Sequence, residues 1–204
     1  MSFAAPSDHI MQTVHTLLLL AAATLGAAFH TQEPERPRTA PAPQTNTPMP
    51  KITPALWFPR EAEAAVRFYV SAFADGKILT ESRWPEGGFG PKGELISATF
   101  RVAGMELIAI NGNTQSRFNE AVSLLVQCDT QQEIDDYWQK LSADGKGQCG
   151  WTKDKFGVSW QIAPRRLLAM MGDKDPAKVE RVSAAMMKMG KIDLAALERA
   201  FAGS

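Results

Sequence analysis

From Lys51 onward, apolar residues follow two periods in turn. Ile52–Phe58 (ITPALWF) has the short apolar run of a strand, with Pro54 near its start. In Arg60–Ala74, Ala62, Val66, Tyr69 and Phe73 recur at near-helical spacing, which predicts an amphipathic helix ended by Gly76. Lys77–Trp84, Glu94–Val102 and Glu106–Asn111 read as strands, the last two joined by a tight turn at Ala103–Gly104. The order then repeats. Ala121–Cys128 reads as a strand and Thr130–Ala143 as a helix. Thr130 and Glu133 open that helix as a capping box, and Ile134, Tyr137, Trp138 and Leu141 form its apolar face. Gln148–Thr152 and Val158–Ala163 follow, around a turn at Lys153–Gly157. After Pro164, helices are predicted over Arg165–Met171, Pro176–Met189 and Leu194–Phe201. Asp175 and Asp193 cap the last two, and Pro176 takes the favoured first position.

The repetition extends to the residues. Ala74-Asp75-Gly76-Lys77 recurs as Ala143-Asp144-Gly145-Lys146, and at the same offset Phe68-Tyr69 maps onto Tyr137-Trp138. The pattern therefore predicts an α+β fold of two βαβββ modules, about 51–113 and 119–163, with C-terminal helices over 164–202.

The first fifty residues have a different texture. Leu17–Phe29 (LLLLAAATLGAAF) is too short for a membrane span of about 20 residues and fits the apolar region of a secretory signal, with cleavage after Ala28. The stretch before it holds no Lys or Arg, so a buried or frayed helix stays open as the alternative. Six prolines in Thr31–Pro50 predict an extended linker. The expected organisation is a signal peptide over 1–30, a linker over 31–50 and a domain over 51–204. Export to the periplasm is expected on that reading, and a cytoplasmic location on the alternative. No lipoprotein anchor is expected, since no Cys follows the apolar run.

Charge and cysteine narrow the function. The 204-residue chain has 22 Lys+Arg against 22 Asp+Glu, which argues against a basic nucleic-acid binder. Two cysteines are too few for a disulfide scaffold or a four-Cys zinc site. Gly88–Gly93 matches the GxGxxG string, but a cofactor-binding loop needs a following helix, and a strand-like run follows here. The string reads as a hairpin loop over the mouth of a pocket. Alternation places Ser159, Gln161 and Ala163 on one strand face and Val158, Trp160 and Ile162 on the other. The bulky set belongs on the helices and the small polar set in a cavity. Glu94, Glu106 and Glu120 read as isolated strand-end acids. Met186, Met187 and Met189, with Met170 and Met171, form either a soft groove or a core or dimer contact.

Two βαβββ modules are the plan of the vicinal oxygen chelate superfamily of glyoxalase I, extradiol dioxygenases and bleomycin-resistance proteins. The segments KITPALWF, AAVRFYVSAF, GKIL, ELIAINGN, FNEAVSLLVQC and GQCGWTKDKFGVSWQIAP resemble its PhnB-like branch, often labelled a 3-demethylubiquinone-9 3-methyltransferase domain. The resemblance runs from about Lys51 to Ala200. It implies four strand positions for a metal, falling near Thr53 or Pro54, Ala109 or Asn111, Val122 or Ser123, and at Gln161. None is His, Asp or Glu, and the three histidines, His9, His15 and His30, precede the domain. The expectation is a homodimeric small-molecule-binding protein with no metal and no cofactor, its cavity lined by Trp57, Asn111, Ser123, Ser159 and Gln161. Neither nucleic acid nor a stable membrane span in the mature chain is expected. Cys149 is a weak catalytic candidate, with packing or a bridge to Cys128 as alternatives. Two other readings stay open. One is an enzyme of the superfamily (a lyase, a dioxygenase, a resistance-type enzyme or the labelled methyltransferase) acting on a small electrophile, antibiotic or quinone. The other is a structural or interaction protein.

Overall fold

A computed structural model describes residues 52–112 and 115–204. The expected signal and linker, and all three histidines, lie outside the described residues. The first module runs β1 (Ala55–Phe58), α1 (Ala62–Ala72), β2 (Lys77–Arg83), β3 (Leu95–Val102) and β4 (Met105–Asn111). Its sheet has the order β1-β4-β3-β2, with β1 parallel to β4 and the other pairs antiparallel. β1 begins after Pro54, which has no N–H for the ladder but whose carbonyl accepts from the Ile108 N–H. Ala62, Ala65, Val66, Tyr69 and Ala72 make the buried stripe of α1. Phe100, Val102, Leu107 and Ala109 meet it from alternating strand positions. Each fully buried Leu, Ile or Phe of this layer contributes about 1.5–3 kcal/mol.

The second module is shorter than the repeat predicts. It contains β5 (Leu124–Cys128), α2 (Gln131–Leu141), β6 (Trp151–Lys153) and β7 (Ser159–Pro164), with the sheet order β5-β7-β6. Its three strands fall at the three runs read as strands in the sequence, one fewer than a full βαβββ unit. The stretch 142–150, which includes the repeat counterparts of Lys77–Glu81 in β2, forms only an isolated bridge, Gln148 to Trp151. KILTESR in β2 alternates side chains, whereas this stretch holds Gly145, Gly147 and Gly150. Gly147 lies so close to Trp151 that an added Cβ would stand 1.9 Å from the Trp151 carbonyl oxygen. Cys149 (φ 55°) and Gly150 (φ 83°) then turn the backbone left-handed, away from strand geometry.

The two modules are joined by a buried carboxylate. Asp154 is 3% exposed. Its Oδ2 accepts from the Tyr69 hydroxyl of α1 and the Trp160 indole N–H of β7, both at 2.8 Å. Its Oδ1 accepts from the backbone N–H groups of Phe156 and Val158, at 2.8 and 3.0 Å. Burial, and then the Asp154 charge, raise the Tyr69 hydroxyl far above its ordinary pKa, so it stays a donor. Phe156 in the same turn packs on Phe58, Phe68 and Tyr69.

Three helices follow: α3 (Arg165–Met171), α4 (Pro176–Met186) and α5 (Leu194–Ala202). Asp175 and Asp193 cap α4 and α5 as expected. α4 stops at Met186 rather than Met189, because Lys188 and Met189 donate to carbonyls three residues back and Gly190 follows. The chain then docks on the second module. Cys149 N–H donates to the Met189 carbonyl and Gly150 N–H to the Gly190 carbonyl, at 2.7 and 2.8 Å. Gln131 of α2 clamps the next turn, donating to the Ile192 carbonyl and accepting from Leu194 N–H. Ile192 itself is fully buried. Among the described residues no helix is long and apolar enough to cross a membrane.

Candidate functional site

Strand parity decides which groups face outward from the second sheet. Val158, Trp160 and Ile162 are buried against the helices, as their bulk predicts. Ser159 and Gln161 take the other face, where register pairs them with Lys153 and Trp151 of β6. In front of this face lies a cleft of about 820 Å³. Trp151, Lys153 and Ser159 line its floor, the loop from Asp144 to Cys149 with Glu120 borders it, and Met186 and Met187 from the end of α4 line it as well.

Hydrogen bonds fix the loop that borders the cleft. The buried Thr152 hydroxyl lies 2.8 Å from Ser142 Oγ and 2.9 Å from the Lys146 carbonyl. Lys153 pairs with Glu120, and Lys146 with Asp144 at 3.5 Å. The Glu120 carboxyl is held below its ordinary pKa chiefly by the hydrogen bond from Lys153. That of Asp144 is lowered chiefly by the Lys146 backbone N–H. Two carboxylates thus face two ammonium groups, and the charges around the cleft balance. Cys149 brings its thiol to the same cleft, with Sγ 3.5 Å from Met187 Sδ. Both cysteines are free thiols. Cys128 is buried on β5, and burial, aided by the nearby Glu133 and Asp129 charges, pushes its pKa up to about 12.

The expected site residues are not all gathered here. Ser159 and Cys149 line the cleft. Gln161 lies in a neighbouring depression of about 70 Å³ with Leu125, Gln127, Ala163 and Leu167. Its Nε2 donates to Ser123 Oγ at 2.7 Å, so Ser123 and Gln161 form a pair beside the cleft. Trp57 and Asn111 belong to the first module. Trp57 is half-exposed, and its indole lies over Gly112, where an added Cβ would be 2.4 Å from Nε1. Asn111 shares strand parity with Leu107 and Ala109, so it faces α1 rather than the open side. Its Oδ1 accepts from Ala62 N–H at 2.8 Å and its Nδ2 donates to the Leu95 carbonyl at 3.0 Å. It caps α1, whose own N-cap residue, Glu61, makes no side-chain cap.

The glycine-rich string is a hairpin loop between β2 and β3, closed by hydrogen bonds from Gly93 N–H to the Trp84 carbonyl and from Trp84 N–H to the Glu94 carbonyl. It offers no helix N-terminus to a cofactor. Sequence reasoning missed Lys153, Gln148 and Glu120 as cleft residues. Parity with Ser159 was a usable signal for Lys153, while no local signal marks the loop. Asp154 was also passed over, although Asp-x-x-Gly is a turn in which an Asp side chain accepts from N–H groups just ahead.

The superfamily's divalent centre can be tested against these donors. The four implied positions supply hydroxyls and amides, and both ends of Asn111 and the donor end of Gln161 are already bonded. Among the described residues no group of three or more His, Cys, Asp or Glu gathers. Such a set does not fit a divalent transition metal, which takes imidazole, thiolate or carboxylate.

Comparison with known proteins places the chain. A family model described as 3-demethylubiquinone-9 3-methyltransferase matches residues 50–163, so α3 to α5 lie beyond the match. The PhnB protein of Bacillus cereus is 38% identical, covers 55% of this chain and 98% of its own, and superposes with a TM-score of 0.49. A protein of Pseudomonas aeruginosa is 19% identical over 57% of this chain and 98% of its own, with a TM-score of 0.46. The fosfomycin resistance protein FosX of Listeria monocytogenes is 13% identical over 54% of this chain and 87% of its own, with a TM-score of 0.39. Among curated proteins none matches. With more than half its residues under the family model, the chain belongs to the 3-demethylubiquinone-9 3-methyltransferase (PhnB-like) family.

Proposed function

We propose that the protein binds a small organic molecule in the cleft of the second module, without the superfamily's divalent centre, and works as an exported homodimer. The cleft carries this reading. Its volume of about 820 Å³ is in the range of ligand sites, and it sets Trp151, Met186 and Met187 beside Lys153, Gln148 and Ser159. An amphiphilic ligand suits it, with its apolar part on the indole and thioethers and its polar part at the Lys153–Glu120 pair. The family's description names methyl transfer, but the glycine-rich string of this chain precedes a strand, which gives that activity no support here.

Thermal-shift screening of the full-length protein tests the reading. A ligand at a hundredfold excess over Kd stabilises by about 2.7 kcal/mol. The shift is expected to shrink in Trp151→Ala and Lys153→Ala. Hits indifferent to both substitutions, or stoichiometric zinc, nickel, iron or manganese in protein purified without chelators, would overturn it. Native mass spectrometry reads the oligomer and the mature N-terminus in one experiment. A second reading, an enzyme acting on a small electrophile, rests on the free Cys149 thiol at the cleft. It requires turnover that disappears in Cys149→Ala.

A further inference from the structure

The soft atoms of the cleft form a group of their own. Cys149 Sγ lies 3.5 Å from Met187 Sδ, and Met186 lines the same cleft. Two elements distant in sequence supply these sulfurs, the loop before β6 and the end of α4. They are locked together by the hydrogen bonds from Cys149 and Gly150 to the Met189 and Gly190 carbonyls. The Cys149 thiol and the Met187 thioether therefore approach one another in the folded protein without a large rearrangement.

We propose that Cys149 and Met187, with Met186 as third donor, bind a soft monovalent cation of the Cu(I) or Ag(I) class. Thiolate and thioether donors select such ions over the hard or borderline divalent metals. At metal–sulfur bonds of about 2.3 Å, a typical thiolate bond length, sulfurs at the observed separation subtend about 100° at a shared ion. That angle leaves a side open for the third sulfur. Charge is compatible as well. Lys153 and Lys146 are each matched by a carboxylate, so the incoming cation meets no net positive field. On binding, the Cys149 thiol gives its proton to solvent and its sulfur becomes the thiolate ligand; the metal keeps its oxidation state. The thiolate and the ion then cancel in charge. The proposal goes beyond the organic-ligand reading and does not depend on it.

The test is anaerobic titration of the full chain with Cu(I) against a chromophoric chelator, repeated with Ag(I). One equivalent is expected to bind per chain. Cys149→Ser is expected to weaken this binding at least a hundredfold. Met187→Leu, which keeps volume but removes the sulfur, is expected to weaken it about tenfold. Cys128→Ser is expected to leave it unchanged. X-ray absorption at the copper edge is expected to show sulfur neighbours alone. Circular dichroism of each variant confirms the fold. Affinity unchanged in Met187→Leu would reduce the site to an ordinary thiol and overturn the proposal. So would binding retained in Cys149→Ser, which would move the ion to other residues, or zinc bound as tightly as Cu(I). Organic hits from the thermal screen are read separately, so either proposal can fail alone.

Discussion

Asp154 has four hydrogen-bond donors and almost no solvent, and it links α1 to the turn between β6 and β7. A carboxylate suits this place because it only accepts. Asparagine would turn an NH₂ toward either the Tyr69 and Trp160 donors or the two backbone N–H groups. Alanine would leave all four donors without the carboxylate. Buried unpaired groups cost about 1–3 kcal/mol each. Asp154→Ala is therefore expected to lose about 3–5 kcal/mol in urea unfolding, and Asp154→Asn nearly as much. Tyr69→Phe leaves the carboxylate three partners and is expected to cost only about 1–2 kcal/mol. Equal losses in Tyr69→Phe and Asp154→Ala would mean that the hydroxyl, not the carboxylate, organises the junction. Cys149 makes a different residue-scale point. A non-glycine residue at φ 55° is uncommon, and its conformation sets the thiol toward the cleft.

At the scale of elements, most of the fold was legible from period alone, since buried helix stripes and alternating strands write themselves into the sequence. The exceptions are instructive. The repeat promised β2 a counterpart in module two, but repeated words do not force repeated work. Asp75 accepts from Ala103 and Gly104 N–H and so fixes the β3–β4 turn, where Ala103 has φ 48°. Asp144, its counterpart, accepts instead from Lys146 nearby and fixes no strand turn. Element pairing also sets the acid response. Glu63 of α1 receives Arg83 of β2 at 2.9 Å and Arg67 of its own helix at 2.7 Å. The Arg83 hydrogen bonds, then those of Arg67, hold its carboxyl down at about 2 from an ordinary 4.5. A depressed folded pKa makes a contribution that is present above the unfolded value and lost as pH falls toward the folded one. Urea midpoints of the wild type and Glu63→Gln are therefore expected to differ at pH 6 and to converge as pH falls from about 4.5 to 2. The difference is expected to be small, since the pair is partly exposed, and to shrink in salt. Midpoints that stay equally far apart across this range would show that Glu63 acts through packing rather than charge.

For the whole molecule, the site was far less legible than the fold. Parity identified the open face of β7, but a cleft is made by what closes over a face. Here part of the closure, Met186 and Met187, comes from chain outside the family match. The loop that borders the cleft has no periodicity, and Met186 and Met187 reach it only because α4 ends early and the next residues dock on Cys149 and Gly150. Trp57 and Asn111 stand on β1 and β4 of the first module, where Asn111 is engaged in capping α1. The C-terminal segment should therefore act as part of the binding wall and not merely as an added layer. Ile192 isolates that role. It is fully buried, and its side chain approaches Gly150 so closely that an added Cβ there would lie 3.1 Å away. Ile192→Ala is expected to cost about 2–4 kcal/mol through the cavity it leaves. Under native conditions, hydrogen exchange is expected to accelerate most at the Cys149 and Gly150 amides, which lose their hold on the Met189 and Gly190 carbonyls. Amides in β3 and β4 are expected to shift only by the change in global stability. Uniform acceleration across both modules would instead make the C-terminal helices a general stabiliser, with no particular hold on the cleft.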